Sequence, residues 1–420
     1  MTGIFIPENI KFILNKLREA GFEAYVVGGC VRDSLLGREP KDWDITTAAT
    51  PEEIKEVFKD YPIINNNGEK HGTVTVRYEE ENIEITTFRI DGDYKDSRHP
   101  ESVEFTRDLK EDLARRDFTI NAMAAYGDGI IDPFGGRKDL EAGIIRAVGN
   151  PADRFEEDAL RILRGIRFAC KYSFDIENRT CMAMFFKKDK LQNISKERIL
   201  SEIKEIFSYS KIGEFMQGMM ISAIIFDIIP EFKVLNKNLF KLIDNESFVV
   251  NIAGLLTFIK TDELYHVHDI IEAVLNRLGF SNSEKKEMLL LSVLSHIKYN
   301  FLQPDQICDL AHIFIDTHHY TKEEAFGVIK NMIKIHNNFF ITQLAYDEKY
   351  YYQAVSTLSE TFRDKCVCIK DLAINGTDLV NLGFSGANVG KELRDLFDAV
   401  SEGEVENTKE ALLDWASCDC

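Results

Sequence analysis

The hydrophobic pattern of the sequence changes near residue 145, and this change limits the folds that the chain can adopt. Before it, turn signals alternate with short β-rich runs, which are AYVVGG (24–29), WDITT (43–47), TVTVRY (73–78) and IEITTF (83–88). After it, helical patterns continue almost to the C-terminus, with breaks near Pro230, 279–283, 300–304 and Gly376. No internal repeat is visible, so the pattern predicts an α+β head followed by a long all-helical remainder.

The length of the chain and the distribution of its apolar residues limit the class of protein to which it can belong. The chain of 420 residues has room for two to four domains of roughly 100–200 residues each. No apolar run approaches the length of about 20 residues that a membrane helix needs, and the N-terminus lacks the order of a secretory signal. We therefore expect a cytoplasmic protein with no membrane partner.

The charge distribution bears on whether the partner is a nucleic acid. The net charge of −19 argues against one when it is considered alone, because phosphate binding needs clustered Lys and Arg. Residues 151–200, however, hold 11 Lys/Arg against 8 Asp/Glu. A local basic surface on an acidic protein is therefore expected, since the field at the site matters more than the total charge.

Two carboxylates occur at alternate positions in KDWDITT. Asp42 and Asp44 are two residues apart, and a strand would place both side chains on one face. Such carboxylates repel one another unless a cation lies between them, and Mg²⁺ commonly binds one or two carboxylates together with substrate phosphates. The pattern predicts a Mg²⁺ site at Asp42 and Asp44, although a solvated strand face would look the same. Glu84, which points away from Ile83 and Ile85, is a candidate third catalytic carboxylate, and a structural role fits it equally well.

A glycine pair precedes these carboxylates. Gly28 and Gly29 follow an apolar strand and precede the helix VRDSLLG, where backbone N–H groups can approach a phosphate closely. Arg32, one turn into that helix, can add a charge-assisted hydrogen bond. A plain tight turn would also contain two glycines, but the whole string GGCVRDSLLGREPKDWDIT is a strong signal for a nucleotide site.

The segment EDALRILRGIRFA (157–169) predicts an amphipathic helix that reads a base. Asp158 and Arg161 are i, i+3 neighbours on its polar face, opposite an apolar face formed by Ala159, Ile162, Leu163 and Ile166. A carboxylate accepts from an exocyclic amine and a guanidinium donates to a ring nitrogen or carbonyl oxygen, so the pair fits cytosine and adenine and rejects uracil and guanine. A surface helix with ordinary salt bridges would give the same pattern.

These motifs together resemble a known family. GG-x-VRD-x-LLG-R-x-x-x-D-x-D-I is similar to the signature of the class II tRNA nucleotidyltransferases, which are the bacterial CCA-adding enzymes and their poly(A) polymerase relatives. RRDFTINAMA (115–124) resembles the ribose-reading motif, with Arg116, Asp117 and Asn121 at the matching positions. Residues 132–136, 157–169 and 194–199 resemble the hinge motif, the base-reading helix and the motif after it, and the stretch that starts at Gly376 resembles the tail. The resemblance is dense over about 20–200 and 374–413 and thin over about 215–370.

The resemblance implies an activity. It implies a template-independent RNA polymerase that adds C-C-A to the 3′ end of tRNA from CTP and ATP, releasing diphosphate by two-metal in-line nucleotidyl transfer. It further implies that Arg164 and Arg167 lie near the triphosphate and that Glu157 helps to orient Arg161. The partners are then the tRNA acceptor end, CTP and ATP, whereas the oligomeric state stays open.

The resemblance also divides the chain into four parts. We expect a nucleotidyltransferase head with a small mixed or antiparallel sheet at residues 1–145 and a helical neck with the base-reading helix at 146–215. A helical body at 216–345 and a helical, tRNA-binding tail at 346–420 would follow.

Four alternatives to a CCA-adding enzyme have to be considered. An A-adding enzyme and a poly(A) polymerase belong to the same family, although GEKHGTVTV (68–76) looks more like the CCA-adding branch. A CC-adding enzyme is disfavoured because the polar loop at 91–107, whose loss accompanies CC-only activity in the family, is present. We expect this loop to redirect the Asp158–Arg161 pair once two cytidines are in place. An inactive RNA-binding relative would not need intact Asp42, Asp44 and Arg32.

Overall fold

The computed structural model describes residues 4–64, 72–92, 103–244, 247–258, 264–294, 303–312, 314–315, 320–335, 349–401 and 403–418. The chain divides into two compact units, Met1–Pro230 and Glu231–Cys420. None of the helices in the described ranges combines the length and the apolarity that crossing a bilayer requires.

The first unit contains a mixed sheet of seven strands in the order β3-β4-β5-β2-β1-β8-β9. Its neighbours are antiparallel except β2 and β5, which run parallel. These strands are β1 (Ala24–Val27), β2 (Ile45–Thr47), β3 (Ile63–Ile64), β4 (Thr73–Tyr78), β5 (Glu81–Thr87), β8 (Ala124–Tyr126) and β9 (Gly129–Ile131). Two further pairs are β6 (Arg89–Asp91) with β7 (Val103–Phe105) and β10 (Ile144–Ile145) with β11 (Asp175–Ile176). The predicted head with a small mixed sheet is confirmed.

The expected hairpin is formed by β4 and β5. Ile83 and Ile85 of β5 are buried on either side of the exposed Glu84, and Val74 and Val76 of β4 are buried together with Thr75 between them. This alternation places one face of the hairpin in the core, as the period of two in the sequence predicts. Glu84 lies on the other face and is exposed.

Helices account for the rest of the first unit. They are α1 (Glu8–Glu19), α2 (Gly29–Leu35), α3 (Pro51–Val57), α4 (Leu109–Ala114), α5 (Gly136–Ala142), α6 (Pro151–Glu157), α7 (Leu160–Tyr172), α8 (Asn178–Lys187), α9 (Lys196–Ile206), α10 (Lys211–Phe215) and α11 (Met219–Ile228). Short 3₁₀ helices occur at Thr119–Asn121 and Lys188–Asn193. Helix α7 approaches the head closely because residue 165 is glycine: a Cβ there would lie 2.8 Å from Cζ of Phe118.

The second unit is helical in every range that the structure describes. A 3₁₀ helix at Pro230–Val234 spans the boundary between the units, and others occur at Lys237–Leu242 and Ile369–Asp371. The α-helices are α12 (Phe248–Leu256), α13 (Leu264–Leu278), α14 (Asn282–Leu294), α15 (Pro304–His312), α16 (Lys322–Ile335), α17 (Lys349–Asp364), α18 (Gly376–Asn381), α19 (Ala387–Ser401) and α20 (Lys409–Cys418). The predicted all-helical remainder is confirmed for these ranges.

Candidate active site

The paired carboxylates lie just before a strand rather than within it. Strand β2 begins at Ile45, so the predicted strand at 43–47 is two residues too long, and both Asp42 and Asp44 precede it. Ile45 is paired with Ile85 of the parallel strand β5. One residue back along each strand, Asp44 precedes β2, whereas Glu84 lies in the middle of β5 and is paired with Thr75 of β4.

The electrostatic surroundings of Asp44 favour a cation. Partial desolvation raises the pKa of Asp44 above its usual value; Arg116 opposes this rise, and the charge of Asp42 adds to it. Two carboxylates that repel one another supply hard oxygen donors, and a divalent ion between them would relieve the repulsion. Within the described ranges, no three Asp, Glu, His or Cys side chains converge as a ready metal site. Substrate phosphates and water would therefore have to complete the coordination, as is usual for Mg²⁺.

Gly28 makes room for an arginine. Its φ of +79° lies in the region that favours glycine, and a Cβ at this position would lie only 2.8 Å from Nη1 of Arg116. The Nε atom of Arg116 is buried and has no hydrogen-bond partner among the described residues, while Nη2 is 3.5 Å from Asp112. Arg116 therefore lies beside the glycine turn with a donor left for a ligand.

A chain of polar side chains, three of them buried, connects the head to the partly exposed Arg164 of helix α7. Arg32 donates two hydrogen bonds to Asp33, at 2.9 and 3.0 Å, and a third to Oδ1 of Asn121 at 2.5 Å. Nδ2 of Asn121 donates to Asp117 at 3.0 Å. The other carboxylate oxygen of Asp117 accepts from Nε and Nη2 of Arg164, at 2.9 and 2.8 Å. Four predicted site residues, Arg32, Asn121, Asp117 and Arg164, are thus joined directly.

Asp117 is the charged centre of this chain. Burial alone would raise its pKa, but the charge of Arg164, the hydrogen bond from Asn121 and the charge of Arg161 outweigh burial and hold the pKa at about 2. Asp117 therefore stays ionised at any physiological pH, and it fixes the orientation of the groups that donate to it.

Aromatic rings support the guanidinium groups. Arg32 lies over the rings of Phe168 and Tyr172, at 5.1 and 5.0 Å from their centroids, and the Tyr172 hydroxyl donates to Asp33 at 2.8 Å. Arg167 also lies over Phe168, at 4.3 Å. These distances are in the range of cation–π attraction. Sequence reasoning missed Phe168 and Tyr172, although Phe168 falls on the charged face of its helix, where an aromatic residue is unexpected.

The base-reading residues are not on one continuous helix, so the predicted helical i, i+3 relation of Asp158 and Arg161 is wrong. Helix α6 ends at Glu157, Asp158 is extended (φ −139°, ψ 104°) and α7 begins at Leu160. The cause is local, because the Asp158 carboxylate accepts from the Leu160 N–H at 2.9 Å and the Asp158 carbonyl from the Arg161 N–H at 3.1 Å. An aspartate with these bonds starts a new helix rather than continuing the old one.

The predicted apolar face of α7 is present nonetheless. Four residues on it have no exposed surface, which are Ala159, Ile162, Leu163 and Ile166. This burial fixes the direction in which the polar side chains of the segment project.

Other residues hold both members of the base-reading pair. Nη1 of Arg161 donates to Glu157 at 2.6 Å, and Nη2 donates to the Arg115 carbonyl at 3.0 Å. The second carboxylate oxygen of Asp158 accepts from Arg198 at 3.2 Å. Arg198 lies in ISKERI, the motif noted after the base-reading segment, but the sequence assigned it no role.

Comparison with known proteins decides the family. The chain is 35% identical to the CCA-adding enzyme of Staphylococcus epidermidis, over 98% of this chain and 97% of that protein, and 34% identical to that of Bacillus velezensis, over 96% of each. This chain belongs to the CCA-adding enzyme family. Three family models match it: "Poly A polymerase head domain" at 24–146, "Probable RNA and SrmB- binding site of polymerase A" at 173–235 and "tRNA nucleotidyltransferase domain 2 putative" at 265–416.

Solved structures agree with the membership in the CCA-adding family. The Bacillus stearothermophilus CCA-adding enzyme in complex with CTP is 27% identical and superposes with a TM-score of 0.74, covering 99% of this chain and 98% of that one. The Thermotoga maritima CCA-adding enzyme complexed with tRNA is 22% identical with a TM-score of 0.65, covering 97% and 94%, and shares the fold. The family resemblance predicted from the motifs is confirmed.

Membership in the CCA-adding family implies the use of a divalent metal. Asp42 and Asp44 are the residues here whose donor chemistry fits such an ion. Two predicted residues of the site remain. Gly29 is the first residue of α2, and Arg167 donates to Glu202 of α9 at 2.6 Å. Its side chain is therefore held between Glu202 and the ring of Phe168.

Sequence reasoning also missed Asp112 in α4. Its carboxylate is fully buried and accepts from Arg115 at 2.7 Å, from Arg116 at 3.5 Å and from Thr46 of β2 at 3.4 Å. These charges lower its pKa in spite of burial. The buried Asp112 carboxylate therefore connects the two adjacent arginines to β2, the strand that follows Asp44. In the sequence, the adjacent arginines Arg115 and Arg116 could have indicated a nearby acidic partner such as Asp112, since buried cations need a counter-charge.

Proposed function

We propose that the protein adds C-C-A to the 3′ end of tRNA, using CTP and ATP and releasing diphosphate. The observation that carries the proposal is the hydrogen-bonded chain Arg32–Asn121–Asp117–Arg164, which links α2, the helix that starts at the glycine pair, to the base-reading segment. Relatives that are CCA-adding enzymes along their whole length support it. The proposal places the protein in the cytoplasm, where its tRNA substrate is.

In this proposal Asp42 and Asp44 would hold Mg²⁺, with Glu84 as a candidate third catalytic carboxylate. When bound, the ions supply charge neutralisation at the α-phosphate and activation of the RNA 3′ hydroxyl for in-line attack. The protein otherwise contributes position and charge. Arg116 is the cation best placed for the triphosphate, because its buried Nε has no partner among the described residues and Gly28 leaves space beside it.

The other arginines have more than one role. We assign Asp117 and Asn121 to the ribose, as the motif indicates, with Arg32 orienting Asn121 from its buried position. Arg164 and Arg167 stay assigned to the triphosphate side. Each is paired with a carboxylate in this structure. Those carboxylates keep the guanidinium groups oriented before a nucleotide arrives.

Base choice is assigned to Asp158 and Arg161. Asp158 accepts two protein hydrogen bonds, from Leu160 and Arg198, and a carboxylate has lone pairs for more. It can therefore accept the exocyclic amine of cytosine or adenine without losing its support. Glu157 holds Arg161 as the resemblance implied. Uracil and guanine would present a carbonyl oxygen to the Asp158 carboxylate, which leaves two acceptors together.

The division into four domains is part of the proposal. We retain the head at 1–145, the neck at 146–215, the body at 216–345 and the tRNA-binding tail at 346–420. The head domain is supported by the matched family region at 24–146. The region matched at 173–235 extends across the proposed boundary between neck and body at 215/216, so this boundary rests on the sequence pattern alone.

The decisive experiment is incubation of the pure protein with tRNA that ends at the discriminator base, with CTP, ATP or both, followed by sequencing of the 3′ ends. We expect C-C with CTP alone and C-C-A with both nucleotides. Addition of A only to tRNA that already ends in C-C would identify an A-adding enzyme, and long A tracts would identify a poly(A) polymerase. No addition with Mg²⁺ present would contradict the proposal.

A further inference from the structure

Two arginines bind the same carboxylate beside the base-reading pair. Arg161 donates from Nη1 to one oxygen of Glu157 at 2.6 Å. Nη2 of Arg154, one turn earlier in α6, forms an ion pair with the other oxygen of Glu157. The side chains of Arg154, Glu157 and Arg161 are 19%, 24% and 11% exposed, so water screens these contacts only in part. Glu157 therefore divides its charge between two cations.

The same two arginines also contact the end of a helix of the head. Nη1 of Arg154 donates to the Ala114 carbonyl at 2.9 Å, and Nη2 of Arg161 donates to the Arg115 carbonyl at 3.0 Å. Ala114 is the last residue of α4, and Arg115 follows it. The final carbonyls of a helix have no partner within the helix, so they accept readily from such donors. Arg154 thus connects the C-terminal end of α4 to the carboxylate that holds Arg161.

The backbone of Arg154 makes separate contacts with the base-reading pair. Its carbonyl accepts from Nη1 of Arg161 at 3.3 Å and from the Asp158 N–H at 3.4 Å. These two bonds do not depend on which side chain residue 154 carries. A substitution at this position therefore tests the guanidinium group of Arg154 and leaves the backbone contacts possible.

The pairing of Glu157 with two arginines limits how Glu157 can bind Arg161. A guanidinium and a carboxylate that face one another freely form a bidentate pair, in which two N–H groups donate to two oxygens. Because Arg154 holds one oxygen of Glu157, only the other is left for Arg161. The arrangement therefore spares donors of Arg161 that a bidentate pair with Glu157 would occupy.

We infer that Arg154 is a positioning residue for base selection: it holds Glu157 against the end of α4, prevents a bidentate Glu157–Arg161 pair and so keeps Arg161 directed at the incoming base. This inference rests on the proposed function, in which Asp158 and Arg161 select cytosine and adenine. Arg154 itself contacts neither the nucleotide nor the RNA. Its effect on base selection must therefore pass through Glu157.

The test compares Arg154→Met, Glu157→Gln and the double variant R154M/E157Q in the full-length protein. Methionine keeps an unbranched apolar side chain in place of the arginine stem and removes the donors. Arg154→Lys is the charge-retaining control. Arg146→Met is the matched control, because Arg146 also pairs with two carboxylates of the first unit, Asp139 and Glu177, neither of which is a base-reading residue.

Three quantities are measured for each protein. The first is the kinetics of addition to tRNA with each of the four nucleotides, which gives kcat and KM separately. The second is the affinity for CTP and for UTP in the absence of RNA, by calorimetry. The third is Tm, which reports any general loss of stability.

We expect R154M to raise the KM for CTP and ATP about tenfold, to leave the KM for tRNA unchanged and to reduce the preference for CTP over UTP about tenfold. The ring nitrogen N3 accepts a hydrogen bond in cytosine and carries a hydrogen in uracil, so misplacing Arg161 weakens the match and relieves the mismatch together. Arg154→Lys should stay within about threefold of wild type, since a lysine still binds one oxygen of Glu157. R146M should keep the wild-type preference, whatever its Tm.

The double variant shows whether the effect passes through Glu157. A glutamine cannot form the bidentate carboxylate pair with Arg161, so adding R154M to E157Q should change the preference by less than about twofold. An equal loss of preference when R154M is added to wild type and to E157Q would overturn the inference. Wild-type preference and KM for CTP in R154M, or a loss of kcat alone that R146M shares, would overturn it as well.

Failure of the proposed function would look different from failure of this inference. In that case the wild-type protein itself would add no C-C-A. The ratio of CTP affinity to UTP affinity, measured without RNA, would still decide the role of Arg154.

Discussion

Replacing Asp117 by asparagine tests how much the polar chain Arg32–Asn121–Asp117–Arg164 stabilises the first unit. Its pKa of about 2 compares with about 3.9 for an ordinary aspartate. A difference of nearly two pKa units corresponds to about 2–3 kcal/mol of folding free energy at neutral pH. Asparagine keeps the shape of the side chain but removes the charge that Arg164 faces. For a unit of this size, that loss should lower Tm by about 5–10 °C.

The sign of the pH dependence follows from the depressed pKa. Because the folded-state pKa lies below the unfolded-state value, the ionised carboxylate stabilises the fold above about pH 4, and this contribution is lost as the pH falls toward about 2. The Tm difference between wild type and D117N should therefore be constant from about pH 7 to pH 5. It should shrink below about pH 4.

Differential scanning calorimetry of the full-length protein measures this effect. Asp153→Asn is the matched control, since Asp153 is an exposed carboxylate in the first turn of α6. The control should change Tm by about 1 °C or less, as most surface substitutions do. The reasoning is refuted if D117N is as stable as the control at neutral pH, or if its deficit is the same at every pH.

Three further predictions concern the reaction. Asp42→Ala or Asp44→Ala should abolish nucleotide addition with Mg²⁺ while tRNA binding stays near normal; activity within about tenfold of wild type would contradict the metal assignment, since loss of a metal ligand costs far more. Asp158→Ala combined with Arg161→Ala should increase UTP and GTP incorporation relative to CTP and ATP, because mismatch penalties are lost with the matched bonds; an unchanged preference in a four-nucleotide competition would place base choice elsewhere. Deleting 93–100, which lies outside the described residues, should spare CTP addition and abolish the terminal adenosine; mostly complete C-C-A ends by 3′ sequencing would contradict a role of the loop in switching.

The sequence by itself predicted the features that depend on neighbouring residues. The period of two in IEITT predicted buried Ile83 and Ile85 with Glu84 exposed, and the helical period predicted the buried face that includes Ile162 and Ile166. The motif order predicted the family, and the change of pattern near residue 145 predicted the fold class. Each of these signals is local, because strand and helix geometry repeat over two to four residues.

The local sequence patterns gave wrong positions for the ends of one helix and one strand. The spacing of residues 157–169 suggested one helix, but Asp158 accepts the hydrogen bonds that begin a second helix. The strand predicted at 43–47 likewise begins only at Ile45, because the parallel ladder between β2 and β5 starts at that residue. Periodicity describes which side chains share a face, whereas the exact end of an element depends on competing hydrogen bonds.

Only the tertiary structure decided which partners hold the functional side chains. Arg32 meets Asn121, Asp117 meets Arg164, and these contacts join residues 89 and 47 positions apart in the chain. The bond from Arg198 to Asp158 spans 40 positions. Buried charges must be paired wherever the fold brings a counter-charge within reach, and no spacing rule along the sequence specifies that distance. For this reason the sequence predicted the chemical types in the site, whereas the packing of α7 against the head and of α9 against α7 decided how each is oriented.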